Sequence, residues 1–113
     1  TNHPISQWSD SQLEFAKEAY GSVEDLPFPH VDPNLNEAAL DKLTDEYLII
    51  IRKRNPQKVH IMGELTFCMS MIKKLQQVGI SCIASTTERI TEVMPDGSKV
   101  SHFKFVRFRA YWP

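Results

Sequence analysis

Apolar residues recur at helical spacing in three stretches of the chain, and short apolar runs typical of strands lie between and after them. The helical spacing predicts helices over about residues 10–20, 36–54 and 65–78. The apolar runs predict strands over residues 22–26, 59–62, 80–85, 88–93 and 100–112. The chain therefore mixes helices with strands along its whole length.

Polar residues mark the ends of the first two predicted helices. Ser9 followed by Gln12 has the spacing of a capping box, in which two side chains cap the first turn reciprocally. Asn36 is a favourable N-cap, and the acidic-to-basic order of charges from there to Asn55 suits the helix dipole. These signals predict that one helix starts at residue 10 and that the next ends at residue 54.

The order of the elements predicts an α/β sheet. A strand, a turn at Gly63, a helix and a second strand follow one another over residues 59–85, and such a crossover joins parallel strands. The extended segment 22–26 followed by the second helix predicts another crossover. The run 80–85 is apolar and rich in small residues, which is typical of a strand covered on both faces. We therefore predict a single domain over residues 1–113 with a mainly parallel sheet.

The last two apolar runs are predicted to form an antiparallel β-hairpin at the C-terminal end. The turn sequence from Pro95 to Ser98 separates them. Strict alternation fails near Phe105, because Phe103 and Phe105 share one parity and Phe108 the other. Either both faces are covered there, or a bulge re-aims the strand and turns Arg107 and Arg109 toward one side.

Charge and length exclude several classes of protein. Among 113 residues, 13 Lys and Arg balance 14 Asp and Glu, so no overall basic field attracts duplex nucleic acid. No apolar run approaches the roughly 20 residues of a membrane span, and no signal-peptide pattern opens the chain, so we expect a cytoplasmic protein away from membranes. Cys68 and Cys82 lie in apolar runs, which favours buried thiols.

Polar residues cluster where strands are predicted to meet helices. In open α/β sheets, ligands bind beyond the carboxyl ends of the strands. We expect three polar segments to converge on one rim of the sheet: Asn2-His3-Pro4 with Ser6, Gly63-Glu64 with Thr66, and Ser85-Thr86-Thr87-Glu88-Arg89.

The third polar segment has the chemistry of an anion site. The hydroxyls of Ser85, Thr86 and Thr87 can donate to phosphate or ribose oxygens, and Arg89 can form a bidentate pair with phosphate. The alternative is that these hydroxyls satisfy turn amides. Glu64 likewise admits two interpretations, a catalytic carboxylate or a carboxylate favoured at a helix N-terminus.

Aromatic and basic residues suggest a stacking surface. Trp8 lies beside the first polar segment and is a candidate for stacking on a base. Arg107 and Arg109 lie among aromatic residues near the C-terminal end, where the alternative is that the rings cover the sheet. His3 can act as a general acid, a general base or a phosphate donor, whereas His60 in mid-strand is predicted to be structural.

Several catalytic motifs are missing from the sequence. No HExxH or similar pair predicts a metal, and neither a P-loop nor GxGxxG predicts a nucleotide cofactor. No GxSxG elbow supports a serine hydrolase. We therefore predict neither a metal nor a cofactor.

With Asn2-His3-Pro4 at the start, a βα core and a polar segment after an inner strand, the chain resembles the small CRISPR-associated ring nucleases with a CARF-like fold. The resemblance implies a Rossmann-like three-layer sandwich and a homodimer that binds cyclic oligoadenylate and cleaves it without metal. It implies ligand contacts from Asn2, His3, Ser6, Gly63, Thr66, Ser85, Thr86 and Thr87. The strand that the family places ahead of Asn2 is missing from this sequence, and the terminal hairpin is longer than the family pattern.

Under this resemblance, a ribose 2′-hydroxyl attacks the adjacent phosphate once the two are held in line. Arg89 or Arg107 would then stabilise the charge on phosphorus, and His3 would assist proton transfer. Two alternatives stay open. One is a sensor or adaptor domain that binds a nucleotide or a protein without turnover, and the other is a hydrolase that uses Thr1 as an N-terminal nucleophile.

Overall fold

The computed structural model describes residues 1–112 and shows a mixed α/β fold in which three helices accompany a three-stranded mixed sheet. Pro113, the last residue of the predicted domain, lies outside the described residues. A short 3-10 turn, Ile5–Gln7, precedes the first helix. The elements are α1 (Asp10–Tyr20), α2 (Glu37–Arg54), β1 (Lys58–His60), α3 (Leu65–Gln77), β2 (Ser81–Val93) and β3 (Lys99–Ala110). The three predicted helices are confirmed.

The predicted N-caps of α1 and α2 are also confirmed. The Ser9 hydroxyl accepts a hydrogen bond from the Gln12 amide at 3.2 Å, and Asn36 Oδ1 accepts one from the Ala39 amide at 2.9 Å. The capping box at α1 is only half formed, because the Gln12 side chain does not return to Ser9. It donates instead to the Ser85 hydroxyl at 2.9 Å. A residue predicted to cap a helix therefore links that helix to the sheet.

The sheet is mostly antiparallel, so the prediction of a mainly parallel sheet is wrong for the described residues. β1 pairs with β2 in parallel over three residues, whereas β2 pairs with β3 in antiparallel fashion over a much longer ladder. The predicted strand 22–26 does not form. Pro27 and Pro29 remove main-chain donors just after it, and the Asp25 carboxylate accepts a hydrogen bond from the Ile5 amide.

β2 is one continuous strand, although the sequence predicted two strands separated by a polar loop at residues 86–87. The register shifts between Thr86 and Thr87, where Val106 of β3 is left without a partner. This irregularity is a bulge, one of the two alternatives that the sequence left open near Phe105. The Thr86 hydroxyl donates to the Arg107 carbonyl and lies 3.2 Å from the Arg107 amide, so the bulge is held by local hydrogen bonds. β-branched threonines favour the strand because they pack well on a pleated surface.

The core consists of two clusters on opposite faces of the sheet. Cys82 and Ile83 are consecutive in β2, so their side chains point to opposite faces. Cys82 packs with buried residues of α3, whereas Ile83 packs with Ala16 of α1 and with Phe108 of β3. We call these the α3 cluster and the α1 cluster. The helices therefore cover both faces of the first half of β2, and α2 packs against α3.

The distal halves of β2 and β3 form an arm that extends beyond the helices. The molecule measures 52 × 37 × 26 Å, and most arm residues are exposed. Val93 and Phe103 are exposed by 70% and 69%. None of the helices in residues 1–112 is long and apolar enough to cross a membrane.

Candidate functional site

A cavity of about 500 Å³ opens on the face of the sheet that α1 covers. We call it the rim cleft. The segment ahead of α1, the first turn of α1 and the sheet all contribute to it. It is lined by His3, Gln7, Trp8, Gln12, His60, Met62, Ser85, Thr87 and Phe103.

A chain of hydrogen bonds runs across the floor of the rim cleft. Gln12 Nε2 donates to Ser85 Oγ, which lies 2.7 Å from His60 Nε2. Because Ser85 already accepts from Gln12, its hydroxyl proton is free to be donated to His60 Nε2. That arrangement puts the imidazole proton on Nδ1, which is buried and has no partner within residues 1–112.

The surroundings of His60 keep its ring neutral at pH 7. The ring packs edge-on against Trp8 and Phe108, with ring centroids 5.0 and 5.7 Å away. Burial, together with the positive charges of the chain's amino group and of His3, lowers the pKa of His60 to about 4. A histidine with so low a pKa is a weak base.

The Ser85–His60 pair therefore does not have the geometry of an activated serine. In a catalytic triad a carboxylate accepts a hydrogen bond from the second ring N–H and stabilises the protonated histidine. His60 Nδ1 has no such acceptor among the described residues. The pair instead holds Gln12, Ser85 and the end of β1 in one arrangement.

Trp8 forms one wall of the rim cleft. Its indole Nε1 donates to the His3 carbonyl at 3.0 Å, which ties the ring to the segment that carries His3. The ring is half-buried and contacts both His60 and Phe108. Phe103, across the cleft, is largely exposed. The cleft thus presents two aromatic surfaces together with amide, hydroxyl and imidazole groups.

Within the described part of the chain, no three His, Cys, Asp or Glu side chains come close enough together to hold a metal ion.

A family model described as "Uncharacterized protein MJ1673 family" matches residues 1–109, almost the whole chain. The chain belongs to this family. Comparisons with curated proteins and with solved structures find no match.

In this member of the MJ1673 family, several predicted site residues do meet. His3, Trp8, Ser85 and Thr87 all line the rim cleft. The Asn2 amide donates to the Met62 carbonyl at 2.8 Å, so the first polar segment lies beside the end of β1.

Arg89 lies on the same face of the arm as the rim cleft. It is directly opposite Phe103 in the ladder, and directly opposite residues point to the same side. Arg89 makes a 3.3 Å contact with the Ser101 hydroxyl and remains exposed. Arg89 is therefore the predicted arginine that shares a face with Ser85 and Thr87.

The second polar segment has a structural role at the start of α3. The Glu64 carboxylate is the N-cap and accepts hydrogen bonds from the Thr66 amide, the Thr66 hydroxyl and the Phe67 amide. These bonds, led by that of the Thr66 hydroxyl, lower the pKa of Glu64. Gly63 leaves room for the Phe28 ring rather than for an open approach to the strand end. None of these three predicted residues lines the rim cleft, and exposed Ser6 does not line it either.

Thr86, Arg107 and Arg109 point away from the rim cleft. Thr86 pairs with Arg107, and Ala84 pairs with Arg109, so these side chains share the face opposite to Ser85 and Thr87. The Arg107 guanidinium donates to the Phe108 carbonyl at 3.1 Å. Within one copy of the protein, Arg89 and Arg107 therefore cannot contact one ligand in the cleft.

The sequence did not reveal Gln12 and His60 as site residues. The local pattern predicts Gln12 as part of a capping box and His60, in mid-strand, as a structural histidine. Both residues contact Ser85, which lies 73 residues after Gln12 and 25 residues after His60 along the chain. Nothing in the local pattern signals such a contact.

Proposed function

We propose that the protein binds a small nucleotide phosphodiester in the rim cleft, with cyclic oligoadenylate as the first candidate. The observation that carries the proposal is the meeting of His3 and Trp8 with Ser85 and Thr87 around one cavity. These residues come from two distant parts of the chain. The first part can supply stacking and proton transfer, and the second can supply hydroxyl donors. A single ligand in the cleft can therefore contact both.

The surfaces of the cleft suit the parts of a nucleotide. The half-buried ring of Trp8 and the exposed ring of Phe103 can stack on bases, since such stacking on aromatic rings is tolerant of sequence. The Thr87 hydroxyl can donate to a ribose or phosphate oxygen. Arg89 lies on the same face and can neutralise one phosphate. A cavity of about 500 Å³ holds part of a cyclic oligonucleotide, so we propose that a two-fold homodimer binds the whole ring.

Cleavage of the ligand is the second part of the proposal. A ribose 2′-oxygen bonds to the adjacent phosphorus, the bond from phosphorus to the 5′-oxygen breaks, and a 2′,3′-cyclic phosphate and a 5′-hydroxyl form. His3 takes the proton of the 2′-hydroxyl, water protonates the leaving 5′-oxygen, and Arg89 stabilises the charge on phosphorus. The proposal includes a Rossmann-like three-layer arrangement. It is compatible with the packing of α1 on one face of β2 and of α3 on the other.

Calorimetry and mass spectrometry with cyclic tri-, tetra- and hexa-adenylate test both parts. We expect one ring to bind and Arg89→Ala to weaken binding by about 1–3 kcal/mol, which is about 5-fold to 160-fold in affinity, through loss of a charged hydrogen bond. Arg109→Ala is the matched control, since Arg109 lies on the opposite face of the same ladder, and it should bind as the parent does. Equal losses in the two variants, or no binding of any ring, would contradict the assignment of the cleft.

A non-catalytic sensor or adaptor is the second candidate function. The observation that favours it is the state of His60, which is bonded to Ser85 and has a pKa lowered to about 4, so the buried histidine of the cleft is a poor general base at neutral pH. The exposed arm offers such a protein an apolar surface for a partner. Binding of a ring whose mass stays unchanged after long incubation identifies this function.

A further inference from the structure

Basic residues and phenylalanines alternate along β3, with one residue inserted between them. The order is His102, Phe103, Lys104, Phe105, the inserted Val106, Arg107, Phe108 and Arg109. The bulge takes Val106 out of the alternation, because Thr86 pairs with Arg107 and Thr87 pairs with Phe105. The phenylalanines therefore share the face of the sheet that α1 covers, and the bulge collects the four basic residues on the other face.

The four basic residues form an exposed row of positive charge. We call His102, Lys104, Arg107 and Arg109 the basic row. All four are exposed, and within residues 1–112 none of them forms an ion pair with a carboxylate. Lys104 lies directly opposite Glu88 in the ladder and still makes no ion pair with it. No acidic residue occurs in β3 itself. The row therefore presents charge that an acidic partner can neutralise.

The outer edge of β3, on the side away from β2, has main-chain groups without a strand partner. β3 is the last strand of the sheet, so no strand among residues 1–112 pairs with this edge. The Tyr111 amide donates to β2 at one end of the ladder, and the Ser98 carbonyl accepts a bond from the residue after β2 at the other. Alternation from these ends turns the main-chain groups of Phe103, Phe105 and Phe108 outward.

The Arg107 guanidinium lies at this outer edge. Its Nε donates to the Phe108 carbonyl at 3.1 Å, which is one of the outward-turned groups. The side chain thus occupies a place that the amide of an added strand would take. If a carboxylate of that strand accepted the guanidinium hydrogen bonds, the carbonyl would be available to the strand's amide. The edge therefore combines main-chain pairing groups with positive charge.

The other face offers an apolar surface beside the same edge. Phe103 is exposed by 69%, and Phe15 of α1 is exposed by 46%. Phe15 packs against Phe105, with ring centroids 6.1 Å apart. Because side chains of an added strand would alternate between the two faces, one set would meet these rings and the other would meet the basic row.

We propose that the outer edge of β3 binds an extended peptide segment of a partner protein in which acidic and apolar residues alternate. The peptide main chain extends the sheet by one strand. Its acidic side chains lie beside Lys104, Arg107 and Arg109, and its apolar side chains lie beside Phe103 and Phe105. A second copy of β3 is a poor partner, because pairing about a two-fold axis would put two basic rows side by side.

Short peptides blocked at both ends test the proposal by calorimetry. One is Glu-Val-Glu-Val-Glu-Val-Glu, a second has the same residues in one Glu block and one Val block, and a third replaces every Glu of the first by Lys. We expect the alternating acidic peptide to bind about tenfold or more tightly than either of the others. At saturation it should slow amide exchange at Phe103 and Phe105 by about tenfold or more.

Reversal of one charge in the basic row tests where the peptide binds. Arg109→Glu creates no like-charge pair across the ladder, since Arg109 pairs with Ala84. We expect it to weaken binding of the alternating acidic peptide by about fivefold or more and to strengthen binding of the alternating Lys peptide. Lys42→Glu is the matched control, because it makes the same change of charge at an exposed residue of α2, and it should bind as the parent does.

The possible outcomes separate the proposal from its rivals. Preference for the alternating acidic peptide, lost in Arg109→Glu and kept in Lys42→Glu, supports it. Equal binding of the alternating and block peptides, or no binding of either, overturns it. Tighter binding of a single-stranded oligouridylate, with unchanged exchange at Phe103 and Phe105, overturns it and assigns the basic row to a nucleic-acid backbone. Self-association that the acidic peptide blocks assigns the edge to a second copy and also overturns it. The proposal does not depend on a ligand in the rim cleft, so cyclic oligoadenylate binding can fail without affecting these results.

Discussion

At the scale of a single side chain, His60 lies between two cavities, the rim cleft and a cavity of about 460 Å³ beside the outer edge of β1. It lines both of them, and its Nε2 is held by Ser85 while Nδ1 is buried without a partner in residues 1–112. A buried ring of this kind is stable only as long as it is neutral, because its protonated form would be a charge among aromatic rings. The ionisation of His60 is therefore coupled to folding.

We predict that stability falls with acid because of His60. The pKa of His60 is about 4 in the folded protein and about 6.5 in the unfolded chain. Between these pH values the unfolded chain binds a proton at His60 that the folded protein does not, so the free energy of unfolding decreases as pH falls. Between pH 7 and pH 4.5 this effect lowers the free energy of unfolding by about 2 kcal/mol. Urea unfolding at steps of pH measures it.

The control for this prediction is a second histidine. His60→Gln should lack the decrease between pH 6.5 and 4.5, even if its stability is lower throughout. His102→Gln should keep it, because His102 is exposed on the arm. Equal pH dependence in the parent and in His60→Gln would show that other groups cause the acid sensitivity.

At the scale of elements, the turn between β1 and α3 depends on Gly63. A Cβ at this position would lie 2.6 Å from Phe28 Cε2 and 3.0 Å from Phe28 Cε1, closer than real contacts allow. Phe28 cannot easily move, since its ring packs against Phe67 with centroids 5.1 Å apart. The glycine is therefore required by the packing of the 22–29 segment over the start of α3.

We predict that Gly63→Ala lowers the free energy of unfolding by about 1–3 kcal/mol, the usual cost of overpacking a core. Phe28→Leu removes the clashing ring atoms, so the double variant should lose less than the sum of the two single losses. A double-mutant cycle by urea unfolding measures this difference. Strictly additive losses would mean that Phe28 is not the obstacle.

Local signals predicted helices better than strands, for a physical reason. The caps Ser9 and Asn36 act on amides three residues away, so the residues near a helix end contain most of what determines that end. A strand needs a partner distant in sequence. Residues 22–26, which the sequence predicts as a strand, stay irregular and pair with no strand among residues 1–112, whereas the threonines of β2 pair with β3 and form a continuous strand.

At the scale of the whole molecule, the arm makes the protein elongated. The radius of gyration of 16.4 Å exceeds the roughly 13 Å expected for a compact domain of this length. Two strands extending away from a core contribute little stability of their own. The arm is therefore suited to contact a ligand or a second copy rather than to hold the fold together.

We predict that shortening the arm leaves the stability of the core nearly unchanged. Replacing residues 91–101 by Asn-Gly joins Ile90 to His102, which are already paired, through a favourable two-residue turn. The replaced residues are exposed, so the free energy of unfolding should change by less than about 1 kcal/mol. Arg89 and Phe103 remain in place.

Calorimetry at several protein concentrations measures the effect of the shortened arm. The arm is buried between two copies if shortening it lowers Tm steeply, and if the Tm of the parent depends on protein concentration whereas that of the variant does not. Such a result would contradict the prediction for an isolated core.

The sequence by itself determined the helices, their N-caps and the presence of stacking, hydroxyl and guanidinium groups, because each depends on neighbours within a few positions. Only the tertiary structure decided which of these groups meet. Strand register turns Ser85, Thr87 and Arg89 to one face and Arg107 and Arg109 to the other. Contacts over tens of residues bring Gln12 and His60 to Ser85. A one-residue change of register reverses the face of a side chain, and no local pattern encodes that choice.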